Sequence, residues 1–206
     1  MLTKTDSISS TTVQSVIGSS QMGAALGISR MSSRAKLWRE LTGNQTPSEL
    51  KPNKILEELW TMGNANEHLC VRDLEIASGI LFDHTGEKQL TGFSGRIRST
   101  PDGIYGLSGC EAKCMSSKYG KWIEPKPSHI AQCQTHMYVH DLEEVVFGRW
   151  EFHTKTMVWM IFRDEEYIQW MIEEADKFLK LVDDRTPPPR RNKRPIAPGC
   201  RIERIQ

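Results

Sequence analysis

The sequence predicts a mixed α/β (α+β) core carrying an N-terminal helical layer. Three observations carry that expectation. Apolar residues recur at helical spacing through the first third of the chain, the middle breaks into short extended runs parted by Gly, Asp and Thr, and the last part alternates helix, strand pair and helix. The chain has 206 residues, enough for one domain with a sizeable core. Its longest apolar run, Met157 to Phe162, falls far short of the roughly 20 residues of a membrane span. Thr3 to Ser10 are polar and lack the apolar stretch of a secretory signal, so a cytoplasmic location is expected.

The elements follow in order. Residues 1–12 are Ser/Thr-rich and read as a flexible N-terminus. Ser19 or Ser20 can cap a short helix that runs to Leu26 and stops at Gly27. A second helix fits Ser33 to Leu41, with Ser at its start and Gly43 at its end. Ile55, Leu56, Leu59, Met62, Leu69 and Val71 keep helical spacing from Asn53 to about Ala77. Ile80–Phe82, Arg96–Arg98, Gly103–Tyr105 and Cys110–Met115 then read as a meander of strands. Ser128 opens a helix to His140; Val145–Phe152 and Thr156–Phe162 read as two strands. Asp164 caps a last helix to Val182, with Ile168, Met171, Ile172, Ala175 and Leu179 on one face, and Pro187–Pro189 end it. The expected organisation is one domain over 13–184 and a basic tail over 185–206.

Charge is unevenly spread. From Arg185 onward there are seven basic residues and one acid, so an overall charge of +1 divides into a basic tail and an acidic body. That asymmetry points to a polyanionic partner. The five cysteines include no Cys-x-x-Cys pair, which argues against a disulfide framework or a structural zinc site. Cys110 and Cys114 are expected to act as small buried hydrophobes. No H-E-x-x-H pattern and no phosphate-binding Gly-rich loop ending in Lys-Ser/Thr is present, which sets aside a zinc hydrolase and an ATP motor.

The segment from Ser99 to Lys113 carries the chemistry. Asp102 begins a short strand, Gly106 to Gly109 can turn the chain, and Glu111 and Lys113 sit two apart on the returning strand. A strand repeats every two residues, so Glu111 and Lys113 share a face, and a hairpin can bring Asp102 to Glu111. Two converging carboxylates repel and call for a cation. Oxygen ligands suit Mg²⁺ or Mn²⁺, and the backbone carbonyl of Ala112 can add another. Such an ion acidifies a bound water and stabilises charge at phosphorus. Lys113 can hold the attacking water and favour an anionic transition state. Trp122, beside Lys118, Tyr119 and Lys121, is a candidate for stacking on nucleic acid.

Asp102, eight intervening residues and Glu111-Ala112-Lys113 resemble the PD-(D/E)XK nuclease pattern, with Pro101 as its proline. The resemblance extends to the phage lambda exonuclease and YqaJ-type viral recombinase family. It is carried by Val16 to Ser29 with Leu37-Trp-Arg-Glu-Leu-Thr-Gly, by Met62-Gly-Asn-Ala-Asn-Glu67, by Ser99 to Lys113, and by His129-Ile-Ala-Gln-Cys-Gln-Thr-His-Met-Tyr-Val, in the family's order. It implies a restriction-endonuclease-like core, a central mixed sheet flanked by helices. It also implies a magnesium-dependent nuclease acting 5′-to-3′ on double-stranded DNA ends, feeding a single-strand annealing protein and assembling as a ring trimer. By the same resemblance Asp102 and Glu111 bind the metal and Lys113 positions the water. Glu67 approaches the metal directly or through water, and Gln132 contacts the scissile phosphate or Lys113. Ser20 and Thr100 lie near the 5′-terminal phosphate pocket. The family's basic residue before the Ser20 position is missing from Thr11–Val16. Either Arg30, Arg34 or Lys118 takes that role or dependence on a 5′-phosphate is weaker.

Overall fold

The computed structural model describes residues 15–46, 48–49, 54–83, 89–115, 123–151, 154–190 and 193–206. The expected flexible segment 1–12 and the candidate DNA contacts Lys118 and Trp122 lie outside the described residues. In chain order the elements are β1 (Ile17–Gly18), α1 (Ser19–Ala25), α2 (Arg34–Thr42), α3 (Lys54–Ser78), β2 (Leu90–Gly92), β3 (Ile97–Ser99), β4 (Gly103–Tyr105), β5 (Ser108–Met115), α4 (Pro127–His140), β6 (Glu144–Glu151), β7 (Met157–Phe162), α5 (Glu165–Asp183) and β8 (Ile202–Arg204). The main sheet runs β4-β5-β6-β7-β8, with β5 and β6 parallel and the other pairs antiparallel. A small sheet, β1-β3-β2, pairs β1 with β3 in parallel. This is the expected mixed sheet flanked by helices.

Helix ends follow their sequence signals except at the starts of α1 and α4; α4 begins at Pro127, with Lys126 as N-cap, ahead of the expected Ser128. Ser33 Oγ accepts from the Lys36 N–H, and Asp164 Oδ1 accepts from the Tyr167 N–H at 2.7 Å. Gly43 ends α2 in the left-handed conformation, φ 71°, where a Cβ is disfavoured. The start of α1 departs further. Neither serine caps it: Gly18 is the N-cap, and Gln21 Oε1 accepts from its N–H at 3.0 Å. Ser20 is thereby left exposed in the first turn.

The two faces of the main sheet pack on different helices. Val145, Phe147, Trp159 and Ile161 meet Cys133 and Met137 of α4, while Cys110, Val146 and Val158 meet Val71 and Leu74 of α3. A third cluster joins α1, α2 and α5 through Met22, Leu37, Met171, Phe178 and Leu179. Fully burying each such side chain contributes roughly 1.5–3 kcal/mol. The approach of α3 to the sheet depends on Gly148, where a Cβ would fall 2.3 Å from Leu74 Cδ2.

Three departures from the sequence reading concern short segments. Ile80–Phe82 is not a strand; one bridge, Asp83 to Ile104, stands in its place. Strands β1 and β2, absent from the reading, hold only two and three residues, too few for any periodicity to register. The expected basic tail is not separate at its end. Ile202–Arg204 pairs with β7, and Ala197 and Cys200 pack against buried clusters. The open β7 edge has unpaired backbone groups to satisfy, and this segment satisfies them. Among the described residues no helix is long and apolar enough to cross a membrane.

Candidate active site

The site is built on the β4–β5 hairpin. Gly103 pairs with Cys110 and Tyr105 with Ser108, so Asp102 falls opposite Glu111. Gly103 is required there, since a Cβ would lie 2.8 Å from that of Phe82. β4 stops short of the far half of β5, and the Asp102 side chain takes over that edge: Oδ2 accepts from the Ala112 N–H at 2.6 Å. In an extended strand the N–H and C=O of one residue point to the same edge, so the Ala112 carbonyl also faces the Asp102 side.

Glu111 and Lys113 share the α4 face of β5, as period two requires. The Glu111 carboxylate is buried and surrounded by donors. Oε1 accepts from Lys113 Nζ and, at 2.8 Å, from Gln132 Nε2. Oε2 lies 2.8 Å from His136 Nε2, and His136 Nδ1 lies 2.7 Å from Ser99 Oγ. A carboxylate only accepts, so Nε2 carries the proton and leaves Nδ1 to accept from the Ser99 hydroxyl. Gln132 and His136 are one helical turn apart on α4, which aims both at Glu111. His129, one turn earlier, stacks on Phe147 with ring centroids 5.1 Å apart.

The electrostatics divide the two carboxylates. Burial pushes the Glu111 carboxyl up, but the Lys113 ammonium and the His136 hydrogen bond outweigh it and hold the group at about 2. Burial also pushes Asp102 up. The Glu111 charge adds to that, Lys113 and the Ala112 N–H oppose it, and Glu67 adds a smaller push, leaving Asp102 well above the usual range. Burial lowers Lys113, yet Glu111 and Asp102 more than compensate and raise it. Asp102 thus sits in an excess of negative charge that one ammonium does not relieve.

Among the described residues no three His, Cys, Asp or Glu side chains are clustered to hold a metal. What the site offers is Asp102, Glu111 and a strand carbonyl. Mg²⁺ takes such a set, binding through one or two carboxylates and keeping water and phosphate oxygens for the rest. The residues present therefore fit a hard divalent cation.

The other expected residues divide. Glu67, on α3, is near enough for its charge to act on Asp102. Gln132 bonds Glu111 rather than Lys113, because α4 lays it directly over that carboxylate. The β1–β3 pairing, Ile17 with Ile97 and Gly18 with Arg98, sets the start of α1, with Ser20, beside the end of β3, with Thr100. Arg34, expected as a DNA contact, is held within the fold and borders the cavity in front of α2. It is buried, 5.2 Å above the Phe178 ring and 3.8 Å from Glu174 Oε2, so it fastens α2 to α5. Cys110 is buried as expected, whereas Cys114 is only half-buried. Sequence reasoning missed His136 and Ser99; the one available signal was that His136 follows Gln132 by four on the same helix.

A hairpin-borne acid beside Glu-x-Lys, on a mixed sheet with helices on both faces, is the PD-(D/E)XK nuclease fold. The model of the YqaJ-like viral recombinase domain matches residues 12–143, and the chain belongs to that family. The alkaline exonuclease of Laribacter hongkongensis is similar in structure, with TM-score 0.65 and 20% identity over 83% of this chain and 89% of that one. The same enzyme in complex with dAMP matches with TM-score 0.63 and 21% identity over the same shares. A phage-related exonuclease from Haemophilus somnus 129PT matches with TM-score 0.60 and 14% identity, over 82% of this chain and 94% of that one. Comparison with curated proteins gives no match.

Proposed function

We propose that the protein is a divalent-metal-dependent DNA exonuclease. It hydrolyses phosphodiester bonds from duplex ends in the 5′-to-3′ direction and supplies single strands for recombination. One observation carries the reading: a buried, ionised Glu111 lies across a hairpin from a charge-frustrated Asp102, with Lys113 on the same face. Membership of the viral recombinase family and the likeness of fold to two exonucleases support it.

Asp102, Glu111 and the Ala112 carbonyl would hold Mg²⁺ or Mn²⁺, with Glu67 acting through water. When bound, the ion neutralises the phosphate and acidifies a water. Gln132 and His136 fix the Glu111 oxygens through hydrogen bonds. Lys113 Nζ adds positive charge beside the pentacovalent phosphate and orients the attacking water. Ser20 and Thr100 lie on neighbouring chain ends suited to a terminal phosphate. A homo-oligomeric ring and an annealing partner belong to the same role.

The test is incubation of linear and of closed circular duplex DNA with Mg²⁺, comparing wild type with Lys113→Ala. The expected result is nucleotide release from the linear DNA only, by wild type only. Equal release by both proteins removes the site, cutting of the circle makes the enzyme an endonuclease, and no cleavage at all makes it a DNA-binding accessory.

A further inference from the structure

Away from the hairpin the structure holds a cavity of about 990 Å³ between the turn that precedes α2 and the stretch following α5. Its charge is one-sided. Besides the buried Arg34, Arg30 and Lys36 line one wall; Arg190, Lys193 and Arg194 line the other; among the described residues no acidic one borders it. All five side chains are exposed, and among the described residues none of them is paired with a carboxylate. Elsewhere on the surface, exposed cations such as Lys177, Lys180 and Arg201 do have acidic partners. Five unpaired like charges around one depression repel one another, and nothing within the fold repays that repulsion.

The groove also leads somewhere. A second cavity, about 810 Å³, shares Arg30, Met31 and Arg194 with the first and continues to Lys126, Pro127 and Ser128 at the start of α4. That end of α4 carries His129, whose pKa is pushed down to about 3 chiefly by burial and then by the charges of Lys113 and Lys126. The second cavity is bordered by one acid, Glu124, beside Lys126, so the cations run from the C-terminal stretch past Arg30 to the start of α4 with a single carboxylate among them.

We infer that the groove between residues 29–36 and Pro188, Pro189, Arg190, Lys193 and Arg194 binds the phosphodiester backbone of DNA several nucleotides away from the cleaved bond. Five cations distributed over two opposing walls suit a repeating phosphate polymer rather than a single anion. It also gives the basic C-terminal stretch a defined role: between α5 and the sheet-paired β8, Arg190, Lys193 and Arg194 line the cavity. The inference rests on the proposed DNA substrate, and binding and cleavage can be read separately.

The experiment uses the full chain with Arg190→Ala/Lys193→Ala/Arg194→Ala, and a companion that keeps charge, Arg190→Lys/Lys193→Arg/Arg194→Lys. Binding of a fluorescent 30-base-pair duplex and of the matching single strand is followed by anisotropy across a salt series, without divalent ion. The neutralised protein is expected to bind at least ~10-fold more weakly at low salt, with a log–log salt slope shallower by about 2–3. The charge-keeping variant is expected to bind like wild type. Inorganic phosphate at millimolar concentration is expected not to compete. An unchanged slope in the neutralised protein overturns the groove even if wild type cleaves DNA. Competition by free phosphate overturns the polymer assignment. A reduced slope upholds the groove even if no cleavage is ever seen, in which case only the nuclease reading falls.

Discussion

His136→Phe separates a positioned carboxylate from one merely buried. The substitution keeps an aromatic ring in a site with no exposure and removes two hydrogen bonds, to Glu111 Oε2 at 2.8 Å and to Ser99 Oγ at 2.7 Å. Loss of a hydrogen bond to a charged acceptor costs about 1.5–3 kcal/mol, and a buried hydroxyl left without a partner costs about 1–3 kcal/mol more. Added apolar contact from the phenyl ring offsets part, so about 3 kcal/mol is expected. For a chain of this length that corresponds to a melting temperature lower by roughly 6–12 °C. Glu111 loses one of three donors, its pKa rises from about 2, and its oxygens are no longer fixed. Partners that orient a ligand typically contribute about 10–100-fold in metal affinity or activity. The assays are urea unfolding and the Mg²⁺ dependence of cleavage of a linear duplex. Ser99→Ala is the control, because it leaves His136 free to bond Glu111; the buried Nδ1 left without its donor should cost about 1–3 kcal/mol, with the Mg²⁺ dependence unchanged. An unchanged half-saturating Mg²⁺ concentration in His136→Phe refutes the idea that His136 organises the site, whatever happens to stability.

Three further outcomes are expected. Gly148→Ala places a methyl 2.3 Å from Leu74 Cδ2 and should destabilise by about 1–3 kcal/mol, with Leu74→Ala in the same chain relieving part of the loss; an additive double mutant contradicts the close approach. Asp102 has its pKa raised in the metal-free fold, so its carboxyl is protonated more readily than in the unfolded chain; that contribution is present below the unfolded pKa and lost as pH rises through the folded one. Because a divalent ion binds the ionised form, the melting-temperature gain on adding Mg²⁺ should be larger at pH 8 than at pH 5.5, and equal gains at both would count against Asp102 as a ligand. Ending the chain after Gly199 removes β8 and leaves the Trp159–Ile161 edge open, so lower thermal stability and greater aggregation are expected, as light scattering during a melt would record.

What the sequence made legible were features governed by short-range geometry. The Asp102–Glu111 hairpin follows from period two and a glycine-bearing turn, and α2 and α5 follow from Ser33, Gly43 and Asp164 at their ends. Features that depend on tertiary contact stayed hidden. Nothing local distinguishes Ile202-Glu203-Arg204 from the basic stretch around it; only the unpaired edge of β7 makes it a strand. Arg34 reads as an available cation until α5 is seen beneath it. His136 is apparent as a site residue only once Glu111 is known to lie under α4. The charge asymmetry at the C-terminal end was plain from composition, but its arrangement as the wall of a groove needed the fold. The structure also changes how that wall should be tested. Truncation after Asp184 would remove β8 as well as the cations, so substitution of Arg190, Lys193 and Arg194 is the cleaner perturbation.

The hydrogen bond from the Ala112 N–H to Asp102 has a consequence for how such chains can diverge. It makes the pairing of β4 with β5 and the assembly of the site one event. Sliding β5 by a single residue would rotate Glu111 and Lys113 onto the α3 side, beside Leu74, and bring Cys110 and Ala112 round to face Gln132. Insertions and deletions between the acid and Glu-x-Lys are therefore confined to the bend at Gly106 and Leu107, where added residues lengthen a loop and leave the pairing intact. The eight residues separating Asp102 from Glu111 measure the reach of a turn, not a chemical requirement. A search for distant relatives should let that interval grow and hold fixed instead the parity that keeps the acid opposite the glutamate.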